Sequence, residues 1–304
     1  MPSIQSPLGA LPSRFKRQRV LVVGCGDVGS RMVAARGSVR WLALTSSASR
    51  MAELRALGAV PLLGNLDRAA TLNRLAGVAH RVVYLAPPPS EGWSDPRAAQ
   101  LSQALRRRSA PQRAVYGSTS GVYGDCQGAW VAETRALSAQ TPRAQRRVHA
   151  EQTLRTWGRA SGVPLSVLRI PGIYAPNREG GTPYARLLKG TPVLRAEDDV
   201  YTNHIHADDL ARACWLALWR AAPQRIYNVS DDSQLKMGDY FDMAADLYGL
   251  SRPPRVARDS AREQLPVVLL SFMSESRRLV NQRMKQELRL VLRYPDVQQG
   301  LRSI

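Results

Sequence analysis

Apolar residues come in short, nearly unbroken runs, separated by stretches with helical spacing. RVLVV (19–23) is the first run and ends in glycine. VGSRMVAAR (28–36) has helical character, VRWLALT (39–45) reads as a second strand, SRMAELRAL (49–57) as a second helix and AVPLL (59–63) as a third strand. RVVYLA (81–86) and RAVYGSTS (113–120) are further strands on either side of a predicted helix over 96–109. A helix is predicted over 142–160, with Pro142 suited to its first turn and Thr141 to its cap. Pro164 opens the strand LSVLRI (165–170). Strands alternating with helices point to right-handed βαβ units. Strands apolar throughout belong to a sheet covered on both faces. The fold class predicted is α/β, a doubly wound parallel sheet.

After residue 171 the pattern changes. PGIYAPNREGGTPYARLLKGTP is rich in Gly and Pro, and the helix DLARACWLALW (209–219) and strand RIYNV (225–229) follow it. A polar, helical part closes the chain, where Val280, Met284, Leu288 and Val291 fall at helical spacing and predict a buried stripe. The expected organisation is a disordered leader over 1–18, a first domain over 19–170 to which 205–230 returns, and a smaller lobe made of 171–204 and 231–304.

Composition adds little to this picture, and charge more. The 304 residues are 44% hydrophobic and 22% charged, and no run approaches the ~18 apolar residues of a membrane helix. Cys25, Cys126 and Cys214 are odd in number and widely spaced, which predicts no disulfide framework and a cytoplasmic setting. The formal net charge is +19, and only four of the 43 basic residues are lysines. The basic residues are scattered and are not interleaved with aromatics, so they do not form the surface that reads single strands. They fit solubility and an anionic small-molecule partner, not a specific nucleic-acid partner or a membrane.

GCGDVG (24–29) lies between the first strand and the first helix, the context a dinucleotide site requires. Gly24 allows the tight turn, Gly26 lets backbone approach a pyrophosphate, and Gly29 permits close helix packing, with Asp27 and Val28 between them. An NAD site places an acid about 20 residues further on. Here Ser46 and Arg50 occupy that region with no acid before Glu53, so NADP is expected over NAD. Asn65 and Leu66, after the third strand, and Ala86 and Pro87, after the fourth, lie at the carboxyl edge where a cofactor would pass. His204 and His206, followed by Asp208 and Asp209, admit a metal reading. The favoured reading is structural, with Asp208 or Asp209 capping a helix and no metal bound.

VLVVGCGDVG (20–29), STSGVYGD (118–125), VLRIPGIYAP (167–176), NHIHADDLA (203–211) and IYNVSDD (226–232) together resemble the extended short-chain dehydrogenase/reductase superfamily, in its NAD(P)-dependent epimerase/dehydratase branch. The resemblance implies a Rossmann-type domain for NAD(P) and a small C-terminal lobe for the substrate, often a nucleotide-sugar. It also implies a homodimer. It assigns Thr119 the polarisation of the reacting oxygen, with Ser120 beside it. The family's Tyr-x-x-x-Lys pair on the next helix falls on Arg143 and Arg147, if Glu151 matches the family's acid. Arg147 is expected to hold the cofactor ribose and Arg143 to face the substrate. An arginine cannot be a general acid or base, because its pKa lies above ~12. Tyr123 is then the alternative catalytic tyrosine and Tyr174 a substrate-lining one. The expected function is hydride transfer at a carbinol or carbonyl carbon. The alternative is a non-catalytic NADP(H)-binding sensor or scaffold.

Overall fold

The computed structural model describes residues 17–35 and 38–302. Residues 1–16 of the expected leader, and the last residue of the helix expected over 28–36, lie outside the described residues. The central sheet has seven parallel strands: β1 (Arg19–Val23), β2 (Arg40–Thr45), β3 (Val60–Leu63), β4 (Arg81–Tyr84), β5 (Arg113–Thr119), β6 (Leu165–Ile170) and β7 (Arg225–Asn228). Their spatial order is β3-β2-β1-β4-β5-β6-β7. The chain reverses direction across the sheet between β1 and β4, which opens a crevice at the carboxyl ends of those strands.

Alternate side chains of each strand serve opposite faces. Val20 and Val22 pack with Val28 and Met32 of α1 (Asp27–Ala34) and with Leu210, Cys214 and Leu218 of α5 (Ala207–Arg220). Leu21 and Val23 pack with Leu101 and Leu105 of α3 (Pro96–Arg106) and with Leu154 and Trp157 of α4 (Pro142–Ala160). Each such side chain, fully buried, contributes roughly 1.5–3 kcal/mol. Between β2 and β3, a 3₁₀ turn over Ala48–Arg50 leads into the short helix α2 (Met51–Ala56).

Local signals set several ends. The Thr141 hydroxyl accepts from the Ala144 N–H at 3.2 Å and Pro142 takes the first helical position, so α4 starts there. Asp95 and Pro96 do the same for α3. α3 stops at Arg106 rather than 109, because Arg107 is extended and Arg108 has φ +73°.

A separate apolar cluster gathers Phe241 and Ala244 of α6 (Met237–Tyr248), Leu187, Leu194, Leu265 and Leu301 beyond the carboxyl edge of the sheet. The stripe expected at the C-terminus is corrected here. Met284 and Leu288 are buried, but Val291 is 76% exposed and the helix covers only Gln282–Glu287. Arg289, at φ +53°, turns the chain out of the helix.

Candidate active site

The turn after β1 is shaped by its glycines. Gly24 has φ +83°, and a Cβ there would lie 2.3 Å from the Ala86 nitrogen, so no other residue fits without displacing the end of β4. At Gly29 a Cβ would press on Val22 at 3.1 Å, the mark of close helix–strand packing. Gly26 differs: a Cβ there would meet nothing within 4 Å, and Gly26 caps α1 with no side-chain bond. Open backbone N–H groups at a helix start, under a surface without side chains, suit a pyrophosphate. Val28 is buried behind this surface. Asp27 would repel an anion by itself, but it is ion-paired with Arg31 at 2.9 Å and with Arg178. Arg31 continues to Asp208 and Asn177, both at 2.6 Å. The glycine turn is thus tied to the loop that follows residue 174.

Around the crevice, Ser46 is exposed at the end of β2. Arg50 donates to the Cys25 carbonyl at 2.7 Å and grips Glu53 at 2.8 and 3.1 Å. That grip holds the Glu53 carboxyl below the usual carboxylate range. Asn65 accepts from the Asp67 N–H at 2.9 Å, in a turn of its own. Leu66 points inward, buried in the apolar cluster that packs on α3. Ala86 is buried, its N–H on the Val23 carbonyl at 3.0 Å, and Pro87 is exposed.

β5 and α4 meet at a cavity of about 520 Å³. Thr119, Ser120, Arg143 and Tyr174 line it. Thr119 Oγ1 accepts from the Gly121 N–H at 3.3 Å, which fixes the turn over Ser120–Tyr123. Arg147 is half-buried; it donates to the Gly117 carbonyl at 2.9 Å and to the Tyr116 hydroxyl at 3.1 Å. Burial pushes the Tyr116 phenol up to about 12. Desolvation, with Arg147 and Arg146 nearby, pulls Arg143 below the usual guanidinium range. Behind this wall, Glu151 of α4 accepts from the Ser118 hydroxyl at 2.6 Å and from Arg169 at 2.8 and 3.2 Å. Both ionic side chains are about 97% buried.

The two tyrosines are not free to trade protons with a substrate. Tyr123 is 1% exposed, donates to Asn228 Oδ1 at 2.7 Å and lies under the Arg169 guanidinium. The turn that carries it rolls it into the core, so the structure does not bring it to the cavity. The Tyr174 ring reaches the cavity wall, but its hydroxyl donates to the Asp296 carbonyl at 3.1 Å, and burial raises its pKa.

The capping expected at 206–209 is reversed. His206 Nδ1 accepts from the Asp208 N–H at 3.2 Å and is itself the cap of α5. Asp208 is taken by Arg31, and Asp209 is buried against Arg212 and the Arg293 and Tyr294 N–H groups. Among the described residues no cluster of His, Cys, Asp or Glu could hold a metal. Nor is any helix there long and apolar enough to cross a membrane.

Sequence reasoning missed three cavity arginines, Arg178, Arg186 and Arg277. With Arg143 they set four guanidinium groups around the cavity, against Glu275, which pairs with Arg277 at 2.7 Å. Arg178 and Arg186 lie in the Gly/Pro-rich segment whose change of pattern was the available signal.

The model of the NAD dependent epimerase/dehydratase family matches residues 20–230. An uncharacterised UDP-glucose epimerase of Bacillus subtilis (strain 168) is 32% identical over 90 residues, 30% of this chain. The chain spans only 28% of the length of that curated relative. Among solved structures, a functionally unknown conserved protein from Silicibacter pomeroyi DSS is 32% identical with a TM-score of 0.76, over 93% of this chain and 96% of that one. A UDP-glucuronic acid 4-epimerase from Bacillus cereus, solved with NAD, has a TM-score of 0.74 at 16% identity over the same shares, a likeness of fold. The seven-stranded sheet, the glycine turn at its crevice and the match over most of the chain agree: this protein belongs to the NAD dependent epimerase/dehydratase family, of the extended short-chain dehydrogenase/reductase type.

Proposed function

We propose that the protein is an NADP(H)-using enzyme, with NAD(H) the weaker ligand, acting at a carbinol or carbonyl carbon of a nucleotide-sugar or similar anionic metabolite. One observation carries the reading: Thr119, Ser120 and Arg143 line one arginine-rich cavity at the carboxyl edge of the sheet that bears the open Gly26 surface. In this reading residues 19–170 with 205–230 hold the dinucleotide, and 171–204 with 231–304 hold the substrate. The nicotinamide, when bound, gives or takes a hydride. The chain's own residues do the rest. Gly24, Gly26 and Gly29 admit the pyrophosphate, and Arg31 and Arg178 neutralise Asp27 beside it. Ser46 and Arg50 receive the 2′-phosphate, and Asn65, Ala86 and Pro87 border the cofactor's path. Thr119 donates to the substrate oxygen, while Arg143 supplies positive field to the substrate.

By the resemblance, matched through Glu151, the family's Tyr and Lys positions fall on Arg143 and Arg147, and this favours a second reading, a dinucleotide-binding sensor without turnover. Its supporting observation is that Arg147 is spent on Tyr116 and Gly117, and that Tyr123 and Tyr174 are both engaged. Turnover of UDP-sugars and carbonyl compounds with either dinucleotide separates the two. Turnover lost on Thr119→Ala supports the enzyme; tight dinucleotide binding without turnover on any substrate supports the sensor. A cytoplasmic homodimer belongs to the first reading and is checked by fractionation and light scattering.

A further inference from the structure

Arg186 lies on the short helix Tyr184–Leu188 and lines the cavity. Its guanidinium carbon sits 4.3 Å over the Phe241 ring of α6. Nε and Nη2 of this side chain are both buried, and neither has a hydrogen-bond partner. Among the described residues no other arginine has two such nitrogens. Several other arginines have a counter-charge: Arg31, Arg97, Arg169, Arg225 and Arg255 each meet a carboxylate within 2.9 Å, while Arg81, Arg146 and Arg147 at least donate to a carbonyl oxygen. The carboxylate lining the cavity, Glu275, is already held by Arg277. Arg186 as a whole is half-buried, but guanidinium nitrogens buried without a hydrogen-bond partner or a counter-charge are costly for a fold to keep.

A second orphan lies across one ring. Tyr240 is 5.5 Å from Phe241 on one side and 4.5 Å from the His204 ring on the other. His204 is 8% exposed, lines the same cavity, and its Nδ1 is buried without a partner. The groups packed on it are the Tyr240 and Tyr174 rings, and no charged side chain perturbs it.

We propose that Arg186, seated on Phe241, and the His204 imidazole form an oxyanion subsite that holds a carboxylate or phosphate group of the substrate. The forked guanidinium matches such a group with two parallel N–H donors, and the Phe241 ring fixes its plane. His204 adds a neutral donor, because burial keeps its imidazole uncharged, pulled down to about 4. The whole charge of the subsite therefore resides on Arg186. The inference rests on reading this cavity as the substrate site, and it does not depend on which dinucleotide binds.

The test uses the full chain and Arg186→Met, whose apolar side chain keeps the contact with Phe241. Thermal shift and calorimetry are run with sodium phosphate, sodium D-glucuronate and uncharged D-glucose at matched ionic strength, and with NAD and NADP separately. Wild-type protein is expected to be stabilised by phosphate or glucuronate and not by glucose. A response to glucuronate alone assigns a carboxylate, and to phosphate alone a phosphate. Arg186→Met is expected to lose at least about tenfold in anion affinity, to keep dinucleotide affinity, and to melt a few degrees higher without ligand because the unpaired charge is gone. Unchanged anion affinity in Arg186→Met overturns the subsite, as does a lower melting temperature with glucose and glucuronate binding alike. His204→Phe provides an independent variant, and anion affinity unaltered by it removes His204 from the subsite. Anion binding that persists while both dinucleotides fail to bind overturns the proposed function and leaves this subsite standing.

Discussion

Glu151→Ala tests how the site is held in register. Glu151 and Arg169 are each about 97% buried and joined at 2.8 Å, and the Ser118 hydroxyl adds a 2.6 Å bond to the same carboxylate. Removing the carboxylate leaves a guanidinium whose remaining neighbours are the Tyr123 ring at 4.7 Å and the Glu133 carbonyl at 3.4 Å. Breaking a buried pair from one side costs about 3–5 kcal/mol, since the other charge stays buried and unpaired. For a chain of this size that corresponds to a fall of roughly 5–8 °C in melting temperature. Urea unfolding followed by circular dichroism measures the loss, and the double variant Glu151→Leu/Arg169→Met supplies the control. With both charges gone the double variant is expected to be more stable than Glu151→Ala, because apolar replacement of a whole buried pair is close to neutral. A loss below about 1 kcal/mol in the single variant, or a double variant less stable than either single one, refutes the reasoning. Because the pair joins β6 to α4 and, through Ser118, to the end of β5, the single variant is also expected to weaken dinucleotide binding.

Three further outcomes follow from individual contacts. Gly26→Val meets no neighbouring atom in the free protein, so it is expected to keep the wild-type melting temperature and lose dinucleotide affinity; Gly24→Val, at φ +83° and 2.3 Å from Ala86, is expected to lose folding instead. Arg50→Ala is expected to cut NADP affinity about tenfold, with NAD affinity nearly unchanged, since one charged contact to the 2′-phosphate is removed; equal losses contradict the assignment. His204 is pulled from 6.5 to about 4 by burial, so it binds fewer protons folded than unfolded between these values. Stability is therefore full above about pH 6.5 and falls toward pH 4, by up to about 3 kcal/mol from this group. His204→Phe should flatten that part of the urea-midpoint profile.

The elements that carry the site were legible where their signals are local. Thr141 and Pro142 announce the start of α4, and Leu165–Ile170 is a mostly apolar run, broken only by Ser166 and Arg169, between turn residues. The glycine turn is likewise readable, because Gly24 and Gly29 each answer a constraint within a few residues or from an adjacent strand end, and Gly26 completes their spacing. The rest depends on topology. Asp27 and Arg178 are 151 residues apart and meet only because the loop after Tyr174 folds over the crevice. Arg186 looks in sequence like any arginine of a basic chain, and its meaning comes from Phe241 beneath it and from the carboxylates that pair elsewhere. Tyr123 occupies a motif position beside Thr119, yet one 3₁₀ turn sends its hydroxyl to Asn228. Asp208 and Asp209 have the chemistry of caps, but Arg31 and Arg212 claim them, which leaves the task to His206.

Calorimetric titration of the purified chain with NADP and with NAD, beside the Gly26→Val variant, tests the central claim most directly. Saturable one-to-one binding, tighter for NADP and lost in the variant, is the predicted result. Binding of neither dinucleotide to the wild-type protein, or equal binding to the variant, contradicts it.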